Sequence, residues 1–474
     1  MSGLASQKHF RSFCCVWLLQ VTDALDSSLV SPSMSAYITS MGGTRSTYGY
    51  AVALLAVGNI VGLPVWGILA DQVSFAIAFR GSLIFGIVGA ALYSLAGLVG
   101  ALWMIPLSRF VLGISTGVIS ANMAFAGAAA QGQQSKVSGV TVLVYNVTTV
   151  VAPALGSLLT ILPQKGTALS SFTYCGYLLM LFNVFSLTIN LMYFTEPERE
   201  EASVEEAEAG HVQEDGAIAS EENSLEESLL PSPDRPAPQP KSIPGKVCAG
   251  VGMFFQELKS MVCVLKETGA WVSFVTSSQN AFNQMVVLWG LPIVTEDYFG
   301  WGQRRNGFLL MGTSLVGIMC LPIVLRNLDH WSDRCVFVSF QQFVGLSLLL
   351  FTTFAGCTHH VLTPVLLCFI LGCWGFGTFG QVPGNMGLFS KLLGKRKQGK
   401  FQAVLFMVMN FSRSMAGLLI GASDGPGGTC YMFATALGLW ALQFAAYLPM
   451  FKNFHPDLLA GSAPATRVNP DNAN

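Results

Sequence analysis

Phe13-Cys14-Cys15-Val16-Trp17-Leu18-Leu19-Gln20-Val21-Thr22-Asp23-Ala24-Leu25-Asp26 carries two carboxylates into an apolar run that continues to Met34-Ser35-Ala36-Tyr37-Ile38. The run is long enough to cross a bilayer, which takes about 20 residues of helix. A carboxylate near its centre costs at least about 2.5 kcal/mol to insert, so it belongs against a cavity or a partner and not against lipid. Spaced three apart, Asp23 and Asp26 share a helix face. Acids are scarce elsewhere, because 13 of the 26 crowd into Glu196 to Glu227. The pair is the first candidate for a proton or cation site. The plainer alternative is an acidic pair at a helix end, fixing a bend or capping a broken segment.

Outward from this run the same pattern recurs. Apolar stretches of membrane length fall near 12–40, 48–69, 81–100, 103–125, 138–162, 171–194, 270–293, 306–325, 335–356, 363–388, 401–422 and 431–451. The chain of 474 residues is 52% hydrophobic and 11% charged, more apolar surface than a soluble domain hides. It reads as an all-α polytopic membrane protein with twelve transmembrane helices. The first run lacks a small-residue cleavage site and reads as an uncleaved span. Lys8, Arg11, Arg80, Lys136, Arg326, Arg334, Lys391, Lys395, Arg396, Lys397, Lys400 and Lys452 fall on one side, against Arg45, Lys165, Arg304 and Arg305 on the other. By the positive-inside rule both termini are expected to be cytosolic.

One segment interrupts the pattern. From Thr195 the chain is acidic and then Pro-rich (Pro236-Ala237-Pro238-Gln239-Pro240), a composition that cannot build a core. The expected organisation is residues 1–194 as a first six-helix half, 195–266 as a cytosolic linker, 267–452 as a second half and 453–474 as a cytosolic tail. Within the linker, Lys246 to Lys266 has the spacing of an amphipathic surface helix. Glu226-Glu227-Ser228-Leu229-Leu230 is a weak match to an acidic dileucine sorting signal.

The halves echo each other. Asp23-Ala24-Leu25-Asp26 corresponds to Asn280-Ala281-Phe282-Asn283, 257 positions on; Gly49 to Gly307 and Pro64 to Pro322 at 258; Lys136, Asn146 and Ala152 to Lys400, Asn410 and Ala416 at 264. A nearly constant offset suggests a duplicated six-helix unit, the plan of parallel-repeat transporters.

Gly67-Ile68-Leu69-Ala70-Asp71 after the second span and Arg109-Phe110-Val111-Leu112-Gly113-Ile114-Ser115-Thr116-Gly117 in the fourth resemble signatures of the major facilitator superfamily. That resemblance implies the major facilitator fold, two six-helix halves around a central cavity, and a conformational latch at Gly67 and Asp71 with Arg80 as its basic partner. The basic and glycine positions that usually follow are Gln72, Ser74, Phe75 and Ala76. Thr148 to Gly156 resembles an antiporter motif without its leading glycines. Ser390-Lys391-Leu392-Leu393-Gly394, then Gln398-Gly399 and Arg413, are most similar to the lysosomal major facilitator domain-containing protein eight (neuronal ceroid lipofuscinosis) group. That group has no acids at the positions of Asp23 and Asp26, so its anion conduction does not simply transfer.

Spans one, four, seven and ten line the cavity of this fold, with five and eleven contributing. Asp23, Asp26 and Arg109 are the proton-coupling candidates: an arginine that approaches or leaves a carboxylate changes how tightly it holds a proton. The rival reading is a permanent ion pair. Gln279, Asn280, Asn283, Gln284 and Arg413 are the substrate-binding candidates; the span-seven amides are expected to face the first-span acids, or to bridge helices. Trp17, Trp289 and Trp374 serve as ligand platforms or as packing. Gly375-Phe376-Gly377-Thr378-Phe379-Gly380 mimics a dinucleotide fingerprint but lies inside a span, where its glycines allow close packing.

His359-His360 reads as an ordinary loop pair or a pH sensor, and Cys357 with Cys430 as free thiols or a disulfide. The 11 cysteines show no metal spacing, and no catalytic constellation or cofactor is implied. The expected function is secondary active transport of a small polar or anionic solute, proton-coupled. The alternative is a lysosomal-type chloride channel. The expected partners are that solute or ion and the lipid bilayer, with no nucleic acid. The chain is expected to be monomeric, in a lysosomal, vacuolar or plasma membrane.

Overall fold

The computed structural model describes residues 10–129, 134–166, 169–196, 271–327, 333–353, 363–393, 398–423 and 427–453. The linker beyond Glu196, His359-His360, Cys357, Lys395 to Lys397 and the C-terminal tail lie outside the described residues.

Fourteen α-helices are described: α1 Phe10–Ser28, α2 Met34–Ser40, α3 Arg45–Gln72, α4 Phe75–Val99, α5 Met104–Thr116, α6 Ile119–Ala129, α7 Gln134–Leu158, α8 Ser171–Tyr193, α9 Trp271–Phe299, α10 Gln303–Asn327, α11 Asp333–Leu350, α12 Pro364–Leu393, α13 Gln398–Ala422 and α14 Gly428–Asn453. They overlie the twelve apolar runs in order, because α1 with α2, and α5 with α6, are single runs broken once. Among the described residues, eight segments are long and apolar enough to cross a membrane on their own. The fold is all-α with the major facilitator arrangement.

Local sequence explains the ends. Thr44 accepts from the Thr47 amide to start α3, and Ser74 from the Ile77 amide to start α4. Glu196 adds a second cap to α4, accepting from the Ala76 amide at 3.0 Å and from the Ser74 hydroxyl. A carboxylate there sits at the positive end of the helix dipole. Gly100, in the left-handed region at φ 73°, closes α4.

The first run breaks at residues 29–33, where Pro32 has no amide to continue the ladder. Local hydroxyls take over: Ser31 Oγ donates to the Ser28 carbonyl at 2.8 Å and Ser33 Oγ to Val30 at 3.2 Å.

Small residues set how closely the helices cross. A Cβ on Gly113 of α5 would stand 2.1 Å from the Leu55 carbonyl of α3. The two halves (α1–α8 and α9–α14) meet at two such crossings. On α3, a Gly49 Cβ would lie 2.3 Å from the Gly421 Cα of α13; on α10, a Gly307 Cβ would lie 1.7 Å from the Ser157 Oγ of α7.

One set of hydrogen bonds between the halves runs along the end that carries the α2–α3 turn. Tyr48 Oη donates to the Trp289 carbonyl at 2.7 Å, Ser157 Oγ to the Gln303 carbonyl at 3.0 Å, and Gln303 Nε2 to the Gly156 carbonyl at 3.0 Å. Arg45 reaches Asp297 at 2.6 Å, with both side chains about one-third exposed. An exposed pair contributes about 0–1 kcal/mol, so packing at the glycine crossings is the larger part of this closure.

Candidate functional site

Arg109 leaves α5 wholly buried and points at the broken end of α1. Its Nη1 donates to the Asp26 carbonyl at 2.9 Å and its Nη2 to the Ser27 carbonyl at 3.1 Å. The last carbonyls of a helix have no partner within it and carry the negative end of its dipole. A guanidinium with two parallel donors therefore finishes α1 as a cap. The opposite face of the group lies over the Trp289 ring of α9, with Cζ 5.4 Å from the centroid, within cation–π range. One side chain thus touches the hinge of the first half and an aromatic of the second.

The two aspartates differ. Asp26 is wholly buried, and both of its carboxylate oxygens accept from Asn183 Nδ2 of α8, at 3.0 and 3.2 Å. Gly86 of α4 leaves the room for that amide, since a Cβ there would be 1.9 Å from Asn183 Oδ1. Asp23 is 2% exposed, and its Oδ2 has no hydrogen-bond partner. Leaving a buried polar atom unpaired costs about 1–3 kcal/mol, and more when it is charged. The rest of the polar face of α1 is spent inside the first half: Asn122 Nδ2 donates to Gln20 Oε1 at 2.8 Å, and Thr22 meets Ser186 at 2.6 Å.

Where the sequence suggested direct contact between arginine and a carboxylate, the guanidinium bonds the main chain. Asn183 and Trp289 are the contacts that reading did not supply. Asn183 is one of two amides in the apolar run of span six, the other being Asn190, and such residues mark interior faces; as a sequence, Trp289 reads only as a platform or packing residue.

The span-seven amides scatter because a helix turns 100° per residue. Gln279 Oε1 accepts from Gln341 Nε2 of α11 at 3.5 Å, within the second half. Asn280 Oδ1 accepts from Gln381 Nε2 of α12 at 2.7 Å. Asn283 is wholly buried with both amide atoms unpartnered, and Gln284 is half-buried.

A second polar line crosses between the halves. Asn59 Nδ2 of α3 donates to Thr116 Oγ1 at 3.0 Å, and Asn410 Nδ2 of α13 donates to Asn59 Oδ1 at 2.9 Å. Arg413 Nη1 then donates to Asn410 Oδ1 at 3.3 Å. Among the described residues no carboxylate pairs with Arg413.

Gly67 packs towards Ser120, Asp71 is exposed at the end of α3, and Arg80 Nε donates to Asn190 Oδ1 of α8 at 3.3 Å. Trp17 packs with Phe10 and Phe13, and Trp374 is wholly buried. The glycines at 375, 377 and 380 abut the Thr313 carbonyl, the Phe340 carbonyl and the Phe340 ring.

The sequence profile of the Major Facilitator Superfamily matches residues 16–417, and the chain belongs to that family. Among solved structures it is similar to a D-xylose-proton symporter, with 12% identity, 91% of this chain and 97% of that one covered, and a TM-score of 0.62. It is similar to the xylose transporter XylE from E. coli in a partially occluded inward-open conformation, with 12% identity, coverage of 93% and 98%, and a TM-score of 0.63. The human organic anion transporter MFSD10 (TETRAN) shares 15% identity, with coverage of 92% and 99% and a TM-score of 0.54. At these identities the likeness is one of fold. No curated protein matches the chain by sequence.

Proposed function

We propose that the protein is a secondary active transporter that moves a small polar or anionic solute by alternating access, coupled to protons through the first-span carboxylates. The observation that carries this reading is Arg413. It is a cation midway along α13, held by one 3.3 Å hydrogen bond to an amide that itself bonds across to the other half. A charge at that depth is costly without a counter-charge, and an anionic solute between the halves supplies one. Proton coupling rests on Asp23, whose buried unpartnered oxygen is a place for a proton to neutralise. The symporter and organic anion transporter among the similar structures are in keeping with both parts.

With the termini cytosolic, the α2–α3 end, where the Tyr48, Ser157 and Gln303 hydrogen bonds join the halves, faces away from the cytosol. The segment from Ser390 to Gly399 and Arg413 favour kinship with the lysosomal group, and hence a lysosomal or vacuolar membrane over the plasma membrane.

The test uses purified protein in liposomes holding a trapped pH dye, under an imposed chloride gradient. Proton movement that requires an added solute, that Asp23→Asn abolishes while solute exchange persists, and that Arg413→Gln weakens is the expected result. Chloride current without proton movement, unchanged in both variants, would make the protein a channel.

A further inference from the structure

A cavity of about 500 Å³ opens on the outer face of the second half, between α9, α13 and α14. All three helices belong to one half, so the cavity lies off the seam where Arg413 and Asn59 sit. Its mouth is formed by Val275, Met415, Leu439 and Leu442, exposed by 41%, 39%, 38% and 69%. On a membrane-spanning bundle such side chains face acyl chains, so the entrance is from the bilayer. No charged side chain lines it.

The floor is polar. Gln443 Nε2 donates to Thr276 Oγ1 at 3.2 Å, and its Oε1 accepts from Gln341 Nε2 at 2.8 Å. The same Gln341 amide reaches Gln279 Oε1, which orients Gln279 with its oxygen towards α11. Its Nε2 is left as a donor without a partner, on a side chain only 7% exposed that lines the cavity. Beside it, Ser278 meets Ser412, whose hydroxyl donates to the Val408 carbonyl at 3.2 Å. With the Ser412 hydrogen on Val408, Ser278 can give its own to Ser412, and the Ser278 oxygen then has room to accept.

We propose that this cavity binds an uncharged membrane lipid through a single hydroxyl, which accepts from Gln279 Nε2 and donates to Ser278 Oγ while its apolar body fills the mouth. A hydroxyl offers a donor and acceptors on a single atom, the chemistry these two side chains ask for. A carboxylate or phosphate would be stranded among neutral walls. The volume lies in the range of sites for small apolar ligands. Sterols and diacylglycerols both present this chemistry.

The experiment is photolabelling of the full chain in lipid nanodiscs. Its probes are a diazirine-bearing 3-hydroxysterol and a diazirine-bearing diacylglycerol, each beside its counterpart lacking the hydroxyl. At least one hydroxyl probe is expected to label peptides of α9, α13 or α14, and the arm that labels identifies the source. Its deoxy counterpart, which loses both hydrogen bonds, should label at least about five-fold less, the worth of roughly one of them. Gln279→Leu, which removes one of the two bonds, should reduce labelling by about five-fold. Leu442→Trp, an exposed position outside the packed core, should block the mouth and keeps the test usable if Gln279→Leu does not fold. Equal labelling by the deoxy probes, labelling unaffected by either variant, or labelling elsewhere would overturn the proposal.

Discussion

Arg109 and Asp26 meet through the main chain: the guanidinium donates to the Asp26 carbonyl, while the Asp26 carboxylate turns to Asn183 on another helix. A buried arginine beside a buried aspartate suggests an ion pair that must break for the protein to work. The observed division of labour is different. Arg109 completes a broken helix, and Asn183 holds the acid, so either contact can change without the other.

Asp26 and Asn183 are therefore expected to behave as one unit. Asn183→Leu leaves a buried carboxylate without its donor and should destabilise by about 1–3 kcal/mol. Asp26→Leu combined with Asn183→Leu should cost less than the sum of the single changes, by about 0.5–3 kcal/mol. Thermal unfolding of the purified variants measures the cycle; strict additivity would remove this contact from the account.

Arg109→Lys keeps the charge but replaces a rigid fork by one point donor. It should lose one of the two carbonyl contacts, and stability should fall by about 1.5 kcal/mol or more, as for a hydrogen bond to a charged group. The same thermal measurement applies, and an unchanged midpoint would mean the cap is dispensable.

Gly49→Val and Gly307→Val each force a side chain into backbone or a packed serine of the other half. Overpacking of this kind costs about 1–3 kcal/mol, and the relief available is to part the halves. Spin labels at Ser40→Cys and Gly302→Cys should report a longer distance in either variant than in the parent.

The same label pair should respond to pH. Glu296 lies beyond the apolar run of span seven, and partial burial, then Asp297, push its carboxyl up from the ordinary value, opposed by Arg45 and a Ser35 hydrogen bond. Burial is the largest cause, so an opening that returns the carboxyl to water lowers it again, and protonation then favours closure. The short-distance population should grow as pH falls through the raised value and shrink above it; Glu296→Gln should flatten the response.

Much of the fold was readable because bilayer thickness leaves a strong imprint: each apolar run became a helix or a broken pair within a few residues. The pairing of Gly49 with Gly307 was visible as a repeat, and both prove to be points where the halves touch. The contacts of the site were harder to read. Arg109 is satisfied by carbonyl oxygens, which every residue carries and no pattern marks, although Pro32 announces that some nearby carbonyls lose their partners. Asn183 lies 157 positions from Asp26, and only folding joins them. The four amides of span seven read equally as facing the first-span acids or as bridging helices. Gln279 and Asn280 bond to two different helices of their own half, since successive residues on a helix face different neighbours.

The two glycine crossings have a mechanical consequence. Gly49 against Gly421 and Gly307 against Ser157 are places where not even a Cβ fits between the halves, one between α3 and α13 and one between α7 and α10. Two such points define a fulcrum line. The halves can tilt about it with little internal deformation, whereas sliding along it would drive backbone into backbone. By omitting side chains at these two places the sequence lets the halves approach until a tilt disturbs the contacts less than a slide.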